Sequence, residues 1–153
     1  MSAVGLPTPA GNPDTPSFFS NFGRSAISVA APGGNASFDA AGKLVVQPGW
    51  PWGTDIASWV WSFCSQTRLT FDAKGNPSTT ACAAGNRLLG FVGTSQATPH
   101  VTGLAALLAA EQGSGHPAQI RAAIQESADD LGQPGTDPFF RKGRINVARA
   151  FGL

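Results

Sequence analysis

Ser95 heads a segment whose residue types could do nucleophilic chemistry: Gly93-Thr94-Ser95-Gln96-Ala97-Thr98-Pro99-His100-Val101-Thr102-Gly103. The spacing predicts that a loop delivers Ser95 to the start of a helix over 95–111. The first backbone N–H groups of a helix have no partner within it, and the helix dipole adds partial positive charge there. A serine so placed offers an Oγ beside unpaired donors, an arrangement suited to a nucleophile whose attack creates an oxyanion. Pro99 fits, because proline is tolerated near a helix start. Gly93 would let a second backbone or a substrate come close. On these residues alone the plainer alternative stays open, that Ser95 is simply the residue capping the helix.

A serine nucleophile needs a base, and no histidine here declares itself. His100 follows Ser95 by five positions, which puts the two side chains about 140° apart around a helix axis. It is expected to be a packed structural histidine. His116 lies in a Gly-Ser-Gly-His-Pro connection and is expected to be solvated. Asp129-Asp130 reads as a charged loop or helix end. Cys64 and Cys82 could form a disulfide worth about 3 kcal/mol in an oxidising compartment, or be two unrelated thiols. Without clustered histidines they make no zinc site, and no other metal site is expected.

The elements that must position Ser95 follow from periodicity. Ala26-Ile-Ser-Val-Ala-Ala31 is a mostly apolar run stopped by Pro32-Gly33-Gly34, which suits a strand buried on both faces of a parallel sheet. Ser17 to Gly23 reads as a short strand ending in a turn. Residues 56–64 alternate, with Ala57, Trp59, Trp61 and Phe63 on one face. The tryptophans at 50, 52, 59 and 61 are expected to cover a small satellite core rather than form a ligand platform. Leu88 to Val92 is a strand leading into the serine segment. The helix over 95–111 is apolar or small almost all round from 101 to 110, so burial on every side is expected. Residues 117–128 form a second helix with Pro117 in its first turn and a stripe of Ile120, Ala123, Ile124 and Ala128. A loop over 129–143, a short strand or turn at Ile145-Asn146-Val147 and a last helical turn close the chain.

Composition narrows the function further. The chain has 153 residues, one domain's worth or less, and 42% of them are hydrophobic, enough for a packed core. Charged residues are 12% and the net charge is +1, so there is no cationic stripe for nucleic acid. The longest helical apolar stretch, Gly103 to Ala110, is far too short to span a membrane. With 19 glycines and 12 prolines the chain has many turns, but no collagen period and no repeat. The first residues, Met1-Ser2-Ala3-Val4-Gly5, carry no export signal, although few charges and two cysteines look extracellular.

The pattern Gly93-Thr94-Ser95-x-Ala97-x-Pro99-His100-Val101-x-Gly103 resembles the serine motif of the subtilisin-like peptidases, the subtilases. Flanking pieces agree in order. Ala3-Val4-Gly5 with Ser17-Phe18, Ser20 and Gly23 resembles the stretch after the family's oxyanion region. Val29-Ala30-Ala31-Pro32-Gly33 resembles its apolar strand ending in Ala-Pro-Gly. Gly143-x-Ile145-Asn146-Val147, with Ala148 and Ala150, resembles its C-terminal close. The resemblance spans nearly the whole chain, with residues about 35–54 and 65–81 as loop insertions.

The resemblance implies an α/β fold: the C-terminal portion of a doubly wound parallel-sheet subtilisin-like domain, incomplete within residues 1–153. The family's triad runs Asp, His, Ser along the chain, and only the serine block is present. The Asp block, the His-Gly-Thr block and the oxyanion Asn would precede residue 1. Ser95 would be the nucleophile and its N–H an oxyanion donor, with Gly93 in the approach to the cleft and the Thr94 hydroxyl near the hole. Gln96 would line the leaving-group side, and Phe91 and Val92 the substrate cleft. Val92 departs from the Asn common in the family. The implied function is a serine endopeptidase segment, inactive alone, whose partners are a polypeptide substrate and the upstream half of its own domain. No cofactor is required for that chemistry, and the family's structural calcium has no site these residues place. The full-length protein would be extracellular or periplasmic. Half a sheet would also leave an open edge. The alternatives are a non-catalytic subtilase-like binding or structural module, which would have no reason to keep the serine, and an unrelated exported Gly/Ala-rich domain.

Overall fold

Two runs of small residues build the sheet on which the serine segment rests. A computed structural model describes residues 1–5, 14–35, 40–41, 59–63, 70–71, 77–78, 88–113 and 116–153. Strand β1 (Ser2–Val4) pairs in parallel with β2 (Ala30–Pro32), Ala3 opposite Ala31. Strand β3 (Val60–Phe63) pairs antiparallel with β6 (Leu88–Phe91), and β4 (Thr70–Phe71) with β5 (Pro77–Ser78). Three helices follow: α1 (Thr94–Glu111), α2 (Pro117–Glu126) and α3 (Val147–Ala150). Cys64, Cys82, Trp50 and Trp52 lie outside the described residues, as does almost all of the two expected insertions.

The strand period of two divides β1 and β2 between two layers. Val4 and Ala30 point to one side, where Phe140 and Leu131 cover them. Ala3 and Ala31 point to the other and meet Ala97 of α1. Alanine on all three positions lets α1 lie close against the sheet. Further along, Leu104 and Leu108 of α1, Ile124 of α2 and Val29 before β2 form the main core cluster. Burial on both faces of this parallel pair is what the apolar run at 26–31 predicts.

The expected open edge is closed. The Ala3 N–H donates to Ser20 Oγ (2.9 Å), and the Ala3 carbonyl accepts from Ser17 N–H (3.0 Å). On the far side the Ala30 N–H donates to the Gly143 carbonyl (2.8 Å), and its carbonyl accepts from Ile145 N–H (2.9 Å). Residues 15–20 therefore run along β1, and 143–145 lie parallel to β2. This also corrects the strand expected at 17–23, which is a turn. Its polar groups bond to β1 and to the Gly34 carbonyl, which Ser17 Oγ reaches at 2.6 Å.

Helix α1 departs from expectation too. Within 101–110 only Leu104 and Leu108 are buried, while Leu107 is 55% exposed and nothing lies within 4 Å of a Cβ built on Gly103. The sheet and α2 pack on one side of α1, and no described element covers the other.

Asp129, read as a plain loop charge, organises the C-terminal return. Its carboxylate accepts from Arg144 Nη2 (3.0 Å) and Asn146 Nδ2 (2.9 Å), and Arg149 lies 3.4 Å away. Arg144 also pairs with Asp14. Burial alone raises the Asp129 pKa, but Asn146, Arg144 and Arg149 outweigh it and hold the carboxyl below its ordinary value. A carboxyl depressed on folding stabilises the fold fully above its unfolded pKa of about 4 and loses that contribution as pH falls through its folded pKa. Urea midpoints measured from pH 6 down to pH 2.5 are therefore expected to fall, and to fall less in Asp129→Asn. Equal acid sensitivity of the two proteins would show that other carboxylates control it.

Candidate active site

Gly93 sets the entry to α1. It is the residue preceding the helix, and its φ of 155° and ψ of 161° belong to a region only glycine uses readily. A Cβ there would lie 2.7 Å from Gln96 Oε1. Its N–H donates to the Gly33 carbonyl at 2.8 Å, and its own carbonyl accepts from Gln96 N–H (3.0 Å) and Ala97 N–H (3.2 Å). Gly33 in turn has no room for a side chain, since a Cβ would sit 2.6 Å from Ala3 Cβ and 2.7 Å from the Gly93 carbonyl oxygen. The serine segment is thus fastened to the end of β2 through two glycines.

This geometry removes the capping alternative. Gly93 occupies the cap position and no side chain caps the helix. Ser95 is exposed in the first turn of α1, and among the described residues its hydroxyl and its N–H have no hydrogen-bond partner. Thr98 and Thr102 instead turn their hydroxyls back to the helix, onto the carbonyls of Thr94 (2.9 Å) and Thr98 (3.1 Å). What α1 presents at its open end is a free serine oxygen beside a free N–H.

An open cleft of about 670 Å³ lies in front of it. Phe91, Val92, Gly93, Thr94, Ser95 and Gln96 all line it, so the structure brings together the six contiguous positions singled out in the sequence. Among the described residues, Phe18, Phe19, Trp59 and Gly90 also line it. Phe18 and Trp59 come from distant segments, and nothing in the sequence places them at the cleft. The sequence predicts Trp59 in a satellite core. It is buried, at 5% exposure, and it also lines the cleft.

Neither histidine lines the cleft. His100 is exposed, not packed, and its Nδ1–H donates to the Gln96 carbonyl at 2.9 Å. That bond to the preceding turn occupies the ring and directs it away from Ser95. His116 is exposed, as expected, at the residue before α2. Among the described residues no group of three or more His, Cys, Asp or Glu could hold a metal ion. No described helix is long and apolar enough to cross a membrane.

A sequence model of the subtilase family matches residues 6–143. The chain belongs to the subtilase family. It is thereby placed among serine peptidases, and its expected α/β fold is that family's. The subtilase chain is 35% identical over 149 residues to thermitase of Thermoactinomyces vulgaris, covering 92% of this chain and 40% of that protein. It is 47% identical over 58 residues to the extracellular serine protease of Serratia marcescens, across 38% of this chain and 6% of the other. In fold it is similar to the crystal structure of a lanthipeptide protease, with a TM-score of 0.61 at 24% identity over 90% of this chain and 37% of that one. The subtilase chain thus spans well under half the length of these relatives.

Proposed function

We propose that Ser95 is the nucleophile of an Asp-His-Ser triad that hydrolyses peptide bonds through an acyl-enzyme. The observation that carries this reading is Ser95 itself, exposed in the cleft with an unpartnered hydroxyl and N–H, in a chain belonging to a serine peptidase family. The His and Asp come from a segment N-terminal to residue 1, as does an Asn completing the oxyanion hole. Two observations support that. Neither His100 nor His116 lines the cleft, and α1 leaves an apolar side uncovered.

The steps follow from the geometry. The histidine takes the proton from Ser95 Oγ while the aspartate fixes its tautomer. Oγ attacks the peptide carbonyl, and charge develops on the carbonyl oxygen beside the Ser95 N–H at the positive end of α1. The Thr94 hydroxyl adds a donor there, Gln96 flanks the departing amine, and Phe91 and Val92 hold the peptide. Collapse expels the amine with the proton, and water then hydrolyses the ester. The chemistry uses no cofactor. The partners are a polypeptide and the upstream half of the domain, and the site of action is extracellular or periplasmic.

A fluorophosphonate probe tests this. Ser95 is expected to be labelled when the Asp- and His-bearing segment is present, and residues 1–153 alone are expected to show neither labelling nor peptide turnover. A serine unassisted by its base is a weak nucleophile at neutral pH. Absence of label on Ser95 with that segment present would overturn the nucleophile. Turnover by 1–153 alone would overturn its dependence on the segment.

A further inference from the structure

The turn at residues 17–20 brings Phe18 and Phe19 to the cleft, where they share its lining with Ser95. The two rings meet edge to face, with centroids 5.0 Å apart, and Phe18 is 54% exposed, so burial does little to hold it in place. Backbone bonds tie the turn to β1. The Ser17 N–H donates to the Ala3 carbonyl, and the Ser20 N–H closes the turn on the Ser17 carbonyl at 2.8 Å. Ser20 Oγ accepts from the Ala3 N–H and pairs with Ser2 Oγ at 2.6 Å. A second set of ties runs to the end of β2. Ser17 is buried, and its hydroxyl donates to the Gly34 carbonyl, while the neighbouring Phe18 N–H donates to Asn35 Oδ1 at 3.2 Å. Gly34 follows Gly33, whose own carbonyl accepts the Gly93 N–H. Residues 33–35 therefore hold the serine segment through one carbonyl and the aromatic turn through the next.

We propose that Ser17 is a positioning residue: its buried hydroxyl ties the turn carrying Phe18 and Phe19 to the end of β2, and so keeps that side of the cleft in place for a peptide. The inference rests on the peptide hydrolysis proposed at Ser95. Its physical basis is a population. A turn that leaves its place for part of the time takes up peptide only for the remainder, and apparent affinity falls by that fraction. Removing the hydroxyl deprives the buried Gly34 carbonyl of a donor, which is costly, and favours states in which the turn parts from residues 34–35 and water enters. Ser95 is spared, because the bond from Gly93 to Gly33 does not pass through Ser17. Binding weakens and the chemical step does not, the pattern of a raised KM at constant kcat.

The test uses the full-length protein and an octapeptide with a fluorophore at one end and a quencher at the other. Active sites are counted with a small ethoxy fluorophosphonate. Ser17→Ala is expected to raise KM at least fivefold, while kcat per labelled site and the labelling rate stay within about twofold of the parent. Its backbone bonds to β1 remain, so the turn still forms. Ser17→Cys keeps the volume and weakens the donor. It is expected to raise KM at least twofold, and it decides the matter if Ser17→Ala does not fold. A hydroxyl with only a structural role would lower the melting temperature or the number of labelled sites and leave KM unmoved. That result, or a fall in kcat per labelled site at constant KM, would overturn the proposal. The two readings fail separately. A parent protein that neither labels nor turns over peptide removes the nucleophile, and the role of Ser17 with it. A parent that does both, with KM unchanged in the Ser17 variants, removes the role of Ser17 alone.

Discussion

Replacing Ser95 by alanine is expected to abolish peptide hydrolysis and fluorophosphonate labelling in the full-length protein while leaving its unfolding midpoint unchanged. The two halves of this result have separate causes. Ser95 is exposed, does not cap α1 and has no hydroxyl partner among the described residues, so the fold loses no contact. Surface substitutions without such contacts usually change stability by less than about 0.5 kcal/mol. Activity falls because the attacking atom is gone, and a triad acts as a unit, so about 10⁴-fold or more of kcat disappears with one member. Steady-state hydrolysis of a fluorogenic peptide and a urea titration on the same preparations check both halves. Activity above about 1% of the parent would move the nucleophile elsewhere. A large loss of stability would make the hydroxyl structural.

The second large effect lies outside the cleft. Gly33→Ala is expected to slow labelling of Ser95 by about 100-fold and to lower stability by about 1–3 kcal/mol. The added methyl would meet Ala3 Cβ at 2.6 Å, the Gly93 carbonyl oxygen at 2.7 Å and Ala97 Cβ at 3.3 Å. Ala3 is fixed in β1, between β2 and the segment at 15–20. The yielding partner is therefore Gly93, whose carbonyl receives the N–H groups of Gln96 and Ala97. Moving that carbonyl moves the first turn of α1, and the Ser95 N–H with it. A misplacement of about 1 Å at a reacting group is enough for a rate loss of this size. Labelling rates and thermal melts of Gly33→Ala decide it. Parent-like labelling in a destabilised protein would mean that the strain is absorbed in the sheet.

Contiguous features were legible and distributed ones were not. The helix expected over 95–111 is Thr94–Glu111, and the one expected over 117–128 ends at Glu126. Both carry local signals, an apolar run after a glycine and a proline in the first turn. The cleft residues 91–96 were legible because one strand-to-helix turn supplies them all. Trp59 and Phe18 were not, because their approach to Ser95 depends on the β3–β6 pairing and on the turn at 17–20. His100 departs from the packing expected of it for a local reason, since its ring bonds back to the Gln96 carbonyl and stays exposed. Asp129 read as a loop charge because its partners Arg144 and Arg149 lie 15 or more residues on, held there only by tertiary structure.

The strand-like return of residues 143–145 along β2 has a kinetic consequence. Its bonds join Ala30 to Gly143 and Ile145, Arg141 to Arg24 and Ile27, and Arg144 to Asp14 across 130 positions. Contacts this far apart in sequence must overcome loop-closure entropy before they contribute anything, and chains dominated by them fold slowly. The sheet under α1 has its last edge closed by residues 143–145, which are synthesised after α1. During synthesis the serine-bearing helix can therefore form early on local signals, yet its platform is completed only once residues 143–145 are available.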